Sequence, residues 1–279
     1  MHPRWIAVIA SSVALVLGVV FWGTTGLVVW SITQSQAAAE LGTGLPPLDD
    51  PIRETDDDFR ITEVYEVGAD GILSPSPSAE AAAVWAEIER VFTPRVAATR
   101  ISQLKVGDDP SSDTLAWVSR EDTPEYWTFA ANVAYADDEE LWLGTLVHEY
   151  AHVLSLGPDS VDSYTDTCDT IWTGQGCLLP ETALLAFSDR FWEAYSDAPE
   201  ADNVDVDVAD AFYAAHEDDF VDAYAATNVA EDFAESFMAY VMEDEPTDGG
   251  VVADKLRFFR DYPPYVLIRE RLRAEFDLG

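Results

Sequence analysis

An α+β fold is predicted by three features of the sequence, taken in order. A helix-like segment ends near Phe92, and short stretches rich in Val, Ile, Trp, Phe and Thr follow between Arg95 and Tyr135. From Asp137 onward nearly everything is helix-like, with Pro158, Pro180, Pro199, Pro246 and Pro263-Pro264 as punctuation. A helix, a small sheet and then a run of helices is an α+β order, and no internal repeat is present. The 279 residues are 48% hydrophobic and 12% aromatic, with 9 Trp, enough to bury a large core and to exclude a disordered chain.

The charge balance removes one class of partner. Asp and Glu number 53 against 15 Lys and Arg, a formal net charge of −38, and Lys105 and Lys255 are the only lysines. A phosphate backbone is held by clustered cations, so nucleic acid is excluded. The acidic excess reads as a solvated surface that keeps the chain soluble and monomeric. It also suits high salt or an anionic cell exterior.

The elements follow in chain order. No charge occurs from Trp5 to Ala39, and residues 5–32 are mostly apolar, which as a helix spans roughly 40 Å and crosses a bilayer with some tilt. Arg4 precedes this segment, and the next charge is Glu40. The positive-inside tendency therefore points residues 1–4 to the cytoplasm and the rest of the chain outside. The expected state is a single-pass anchor in the cell membrane. The alternative is secretion after cleavage near Ala39, where Ala37-Ala38-Ala39 resembles a processing site, but the apolar run exceeds a signal core of about 7–15 residues.

Residues 33–60, with Gly42, Gly44, Pro46, Pro47, Pro51 and Asp56-Asp57-Asp58, read as a flexible linker, and 61–279 as one folded domain. Ile61 to Val67 alternates weakly, as an edge strand does. Ser74-Pro75-Ser76-Pro77 then breaks the chain before Ser78 caps a helix to about Phe92. Three strands are expected at Val96 to Leu104, Thr114 to Ser119 and Tyr126 to Tyr135. Cys168 and Cys177 are the only cysteines, and outside the cell they are expected to form a disulfide.

The chemistry concentrates in His148-Glu149-Tyr150-Ala151-His152. A helix places residues four apart on one face, so both imidazoles can bind one Zn²⁺ per chain, with Glu149 beside them in reach of a zinc-bound water. The helical context is present: Asp137 and Glu140 form a candidate capping box, and Gly157-Pro158 forms a stop. A catalytic zinc site needs a third protein ligand. The other histidines are His2 and His216, so a carboxylate is expected. His216 reads as a cleft residue or as a packed surface histidine. Asp202, Asp205, Asp207 and Asp210 lack the Gly and terminal Glu of a calcium loop and read as a solvated face.

Tyr224, Asn228, Glu231 and Glu235 form a polar stripe at i, i+4, i+7 and i+11 if the segment is one helix. One carboxylate can bind metal, and another, one turn away, can accept the free N–H of a ligating His. Asn228 as N-cap with Glu231 three residues later is a local alternative, in which Glu235 becomes the ligand.

The two motifs together resemble the HExxH metallopeptidases of the anthrax-lethal-factor type and their exported bacterial relatives. Those proteins carry a Tyr, then Thr-Asn, then Glu-x-Phe-Ala-Glu-x-Phe, matched here by Tyr224, Thr227, Asn228, Glu231, Phe233, Ala234, Glu235 and Phe237. The resemblance implies a zincin-like domain that hydrolyses peptides, with His148, His152 and Glu231 on zinc and Glu149 and Tyr224 catalytic. Glu235 and Asn228 would support the ligands, and the strand from Trp127 to Val133 would be the edge that pairs with substrate. The interval from His152 to Glu231 reads as an insertion holding the cysteine loop and a helix near Glu181 to Tyr195. A peptide or protein substrate and the lipid bilayer, through residues 5–32, are the expected partners. A catalytically retired zincin domain serving as a cell-surface binding module is the alternative function. An acidic spacer without metal explains neither motif.

Overall fold

The structure, a computed structural model, describes residues 59–279 apart from 122, 166 and 248. The apolar segment 5–32 and the linker up to residue 58 lie outside the described residues. Among the described residues no helix is long and apolar enough to cross a membrane. Phe59 is fully buried in a cluster with Ile61, Val64, Trp117 and Ala130, so packed chain begins two residues before the boundary read at Ile61.

The fold is α+β. Strands β1 (Ile61–Val67), β2 (Leu73–Ser74), β3 (Ile101–Gly107), β4 (Ala116–Arg120) and β5 (Trp127–Asn132) form one sheet in the order β2-β1-β3-β5-β4. Two expectations about edges are corrected by this order. β1 lies between β2 and β3 and is not an edge. β5 pairs parallel with β3 and antiparallel with β4, so β4, folded back outside it, is the edge strand beside the HEYAH helix.

The first of the three expected strands is also corrected. Residues 96–100 belong to a helix, and β3 starts at Ile101. The Thr93 hydroxyl accepts the Val96 N–H at 3.3 Å, and Pro94 occupies a first-turn position where no N–H is needed, so helix starts where β-branched composition suggests strand. At the far end, Asn132 accepts the Ala134 N–H at 3.3 Å and turns the chain into a 3₁₀ turn, Val133–Tyr135, three residues before the expected strand end.

Eight α-helices occur among the described residues. Helix α1 (Ala79–Phe92) starts as expected at Ser78, whose hydroxyl accepts the Ala81 N–H at 3.1 Å, and it buries Ala81, Val84, Trp85, Ile88 and Val91 against the sheet core. The short α2 (Pro94–Arg100) follows. Helix α3 (Glu139–Ser155) carries the HEYAH residues. Its cap is Asp138, which accepts the Leu141 N–H at 3.2 Å, and not Asp137, so the expected capping box is displaced by one residue.

Beyond α3, strands β6 (Val161–Asp162) and β7 (Cys177–Leu178) pair as a small hairpin closed by the expected Cys168–Cys177 disulfide. Closing a loop of this length is worth about 2.5–3 kcal/mol in the chain-entropy view. Gly176 has φ +142°, and a Cβ there would lie 2.6 Å from the Asp162 carbonyl oxygen, so the hairpin closes only with glycine. Helices α4 (Ala183–Phe191), α5 (Val206–His216), α6 (Val229–Met242), α7 (Val251–Phe258) and α8 (Pro263–Glu275) complete the body.

Helix α6 packs along α3. Gly144 of α3 permits the approach, because a Cβ there would already stand 3.3 Å from the Met238 sulfur. Helix α8 then braces α6 from its C-terminal end. Arg269 donates to the Tyr240 carbonyl at 2.7 Å and Arg273 to the Val241 carbonyl at 3.0 Å, which satisfies carbonyls that the helix end leaves open.

Candidate metal centre

The α3/α6 contact brings together residues far apart in sequence. His148 and His152 face the first turn of α6, where Glu231 is 2% exposed. The two Nε2 atoms lie 2.9 Å apart, and the Glu231 Oε2 is 3.3 Å from His148 Nε2 and 3.1 Å from His152 Nε2. These three donors form a buried group able to hold a metal ion. In a tetrahedral site with metal bonds of about 2.0–2.1 Å, neighbouring ligand atoms stand about 3.3–3.4 Å apart, so the spacing suits one small cation with little adjustment.

Glu235, one turn further along α6, takes the other side of the same imidazole. Its Oε1 lies 2.8 Å from His148 Nδ1, with both side chains fully buried, although the contact is not aligned as a hydrogen bond. A carboxylate at Nδ1 favours the tautomer that leaves the Nε2 lone pair for metal. Burial by itself would lower the His148 pKa, but Glu235 and Glu231 outweigh it and hold the ring well above the usual imidazole value. Burial raises Glu231, yet the attraction of His152 and His148 draws it down to about 2. A cluster that attracts a proton so strongly is also one that attracts a cation.

Asn228 is the N-cap of α6. Its Oδ1 accepts the N–H groups of Ala230 at 2.9 Å and Glu231 at 3.1 Å, and its amide donates to the Asn203 carbonyl at 3.0 Å. It therefore fixes the backbone of Glu231 at the start of α6. Asn228 caps the backbone N–H of Glu231, while the Glu231 side chain turns to the histidines.

The continuous stripe from Tyr224 is corrected. Asn228 ends the helix, and Tyr224 sits in a separate 3₁₀ turn, Tyr224–Ala226. Its ring centroid is nevertheless 5.9 Å from that of His148, so the turn delivers the tyrosine to the site.

A cleft opens on one side of this group. Glu149, His152, Glu231 and Asn228 line it, with Trp117 and Val118 of β4, Trp127 of β5, the turn from Thr173 to Gln175, and Asp202 and Val204. The hairpin turn is pinned to the sheet by Arg120, which donates to the Ser163 hydroxyl and, at 3.2 Å, to the Gln175 carbonyl. Burial pushes the Arg120 guanidinium down to about 10.

Asp202, Asp205, Asp207 and Asp210 are all exposed, as a solvated face requires, with Asp202 at the rim of the cleft and Asp205 capping α5. His216 stands apart from the cleft. Its Nε2 is 3.1 Å from the Asp197 carboxylate, and its ring packs on Tyr195 and Phe212. The sequence reading did not single out Trp117 or Arg120 for the site, and no motif spacing marks them.

Comparison of the chain with protein-family models, curated proteins and solved structures finds no match.

Proposed function

We propose that this chain is a zinc-dependent peptidase of the HExxH type, anchored in the cell membrane by residues 5–32 with its zincin-like domain outside. The observation that carries the reading is the convergence of His148 Nε2, His152 Nε2 and Glu231 Oε2 within 2.9–3.3 Å beside a cleft that also holds Glu149. Zn²⁺ bound there supplies Lewis acidity toward a carbonyl and lowers the pKa of a coordinated water.

The chain's own residues do the rest. Glu149 accepts a proton from the attacking water and returns it to the leaving amine. Tyr224 donates a hydrogen bond to the developing oxyanion. β4 replaces β5 as the edge along which an extended peptide pairs, because β4 bounds the cleft with Trp117 and Val118. Metal analysis of the folded full chain, followed by a peptide-library cleavage profile, tests the reading, and folded protein that takes up no zinc rejects it.

The two glutamates of α6 are expected to differ. Glu231→Ala removes a ligand and should cost most of the zinc affinity. Glu235→Ala removes the partner of His148 Nδ1 and should weaken binding by about 10–100-fold. Competition titrations with a zinc chelator check the order, and the reverse order sinks the assignment of Glu231.

Membrane anchoring rests on the uncharged segment 5–32 and fits the disulfide-bonded hairpin. Full-length protein is expected in the membrane fraction, with protease added to intact cells releasing the folded domain. A mature N-terminus at Glu40 would establish secretion instead.

A further inference from the structure

Two segments far apart in sequence bound the cleft: the sheet, with Val118 of β4 and Trp127 of β5, and the hairpin turn from Thr173 to Gln175. The turn holds its own shape. It lies inside the ring closed by Cys168–Cys177, Trp172 bridges to Cys177, and the Thr173 N–H donates to the Gly176 carbonyl at 3.1 Å. All three ties are internal to the hairpin, so none of them sets where the turn stands relative to the sheet.

That placement falls to Arg120, the last residue of β4 and two positions along the edge strand from Val118. Its Nη1 donates to the Ser163 hydroxyl and, at 3.2 Å, to the Gln175 carbonyl, and Ser163 donates to the same carbonyl at 3.0 Å. One nitrogen, one hydroxyl and one carbonyl thus close a triangle between strand and turn. The guanidinium carbon also stands 5.1 Å from the centre of the Trp127 ring, so the same cation rests on the sheet side of the cleft. Nε and Nη2 are buried without a hydrogen-bond acceptor, and the Nη1 bonds only partly replace the water that the cation gives up. A group buried on those terms stabilises the fold weakly, and what it fixes is position. Beyond the turn, a Cβ on Gly174 would lie 3.4 Å from that of Asp202, which also lines the cleft, so a shift of the turn alters the cleft against the sheet and against Asp202 together.

We propose that Arg120 is a positioning residue for substrate selection: by holding the turn from Thr173 to Gln175 against the end of β4 it sets the width of the cleft, and so the peptide side chains that the cleft admits. The inference rests on the peptidase reading above and deepens it.

The test compares full-chain Arg120→Met and Arg120→Lys with wild type. It reads zinc affinity by chelator competition, kcat and KM on a peptide that the wild type cleaves, the cleavage profile on a peptide library, and hydrogen exchange of residues 168–178 in the metal-free protein. Methionine keeps the bulk and cannot donate, whereas a lysine ammonium in the place of Nη1 can donate to both oxygens. Arg120→Met is expected to raise KM about tenfold, to keep kcat and zinc affinity within about threefold, and to broaden the cleavage profile. Exchange of 168–178 should quicken by about tenfold while α3 and α6 keep wild-type rates. Arg120→Lys should hold KM and exchange within about threefold of wild type.

Folded Arg120→Met with wild-type KM, profile and exchange overturns the proposal, as does a loss confined to kcat, or Arg120→Lys as impaired as Arg120→Met. If Arg120→Met does not fold, Ser163→Ala decides. It removes one corner of the triangle and should raise KM and exchange by about threefold, and wild-type values overturn the role of Arg120. Wild-type protein that takes up no zinc, or that takes it up and cleaves nothing, overturns the peptidase reading and substrate selection with it, whereas unchanged exchange in Arg120→Met overturns only the role given to Arg120.

Discussion

Glu149→Gln is expected to lower peptide hydrolysis by about 10²–10⁴-fold while leaving zinc uptake unchanged. Glu149 is 1% exposed, follows His148 on α3 and lines the cleft beside His152 and Glu231. Glutamine keeps the size of the side chain and its acceptor oxygen, so packing and metal ligands survive, but the amide cannot take a proton from water. The loss should therefore appear in kcat and not in the zinc titration. Steady-state kinetics with a cleaved library peptide and metal analysis of the same preparation check both halves. A wild-type chain that binds zinc yet cleaves nothing favours the retired binding module. Parallel loss of zinc and activity in Glu149→Gln would show that Glu149 acts on the ligands and not on the water.

Lys255→Met is expected to destabilise the domain by about 3–5 kcal/mol, because it strips a buried carboxylate of the cation paired with it. Lys255 and Asp232 are both fully buried, with Nζ 2.7 Å from Asp232 Oδ2. The ammonium also donates to the Asp219 carbonyl at 2.7 Å and stands 3.8 Å from the centre of the Phe220 ring. Asp232 further accepts the Trp192 indole N–H at 2.7 Å.

Burial raises the Asp232 pKa and lowers that of Lys255, each offset in part by the attraction of the other. The pair is thus costly to bury and costlier to break. Adding Asp232→Asn to Lys255→Met removes the orphaned charge and keeps the acceptor for Trp192, and it should restore much of the loss. Urea unfolding of the three proteins measures this, and a Lys255→Met effect below about 1 kcal/mol would refute the argument, since it would place the pair among weak surface ion pairs. Asp232 adjoins Glu231 on α6, so the pair also anchors the helix that presents the third donor.

How much of this was legible in the sequence depended on how local the deciding interaction was. The helix cap at Ser78, the pairing of Cys168 with Cys177 and the helix beneath His148 and His152 are set by neighbours within a few residues, and all three were readable. Residues 96–100 were misread because their composition favours strand, whereas Thr93 and Pro94 start a helix whose boundary outweighs that weak propensity. Tyr224 was misplaced on α6 because a polar stripe continued through Asn228, the residue whose side chain ends the helix by capping it.

The sequence by itself determined that two histidines at helical spacing, with a glutamate between them, would share one surface of a helix, because a period of 3.6 residues leaves them no other arrangement. The choice between Glu231 and Glu235 belonged to the tertiary structure. Both lie on the same side of α6, and only the packing of α6 on α3, across 79 residues of chain, turns Glu231 to the Nε2 pair and Glu235 to Nδ1 of His148. The edge strand was decided in the same way, since hydrogen bonding to β3 and β4 makes β5 interior and leaves β4 at the cleft. Tyr224 likewise reaches His148, with ring centroids 5.9 Å apart, only because its turn is fitted against the packed helices, and the geometry of such a contact is fixed by three-dimensional packing and by no sequence period.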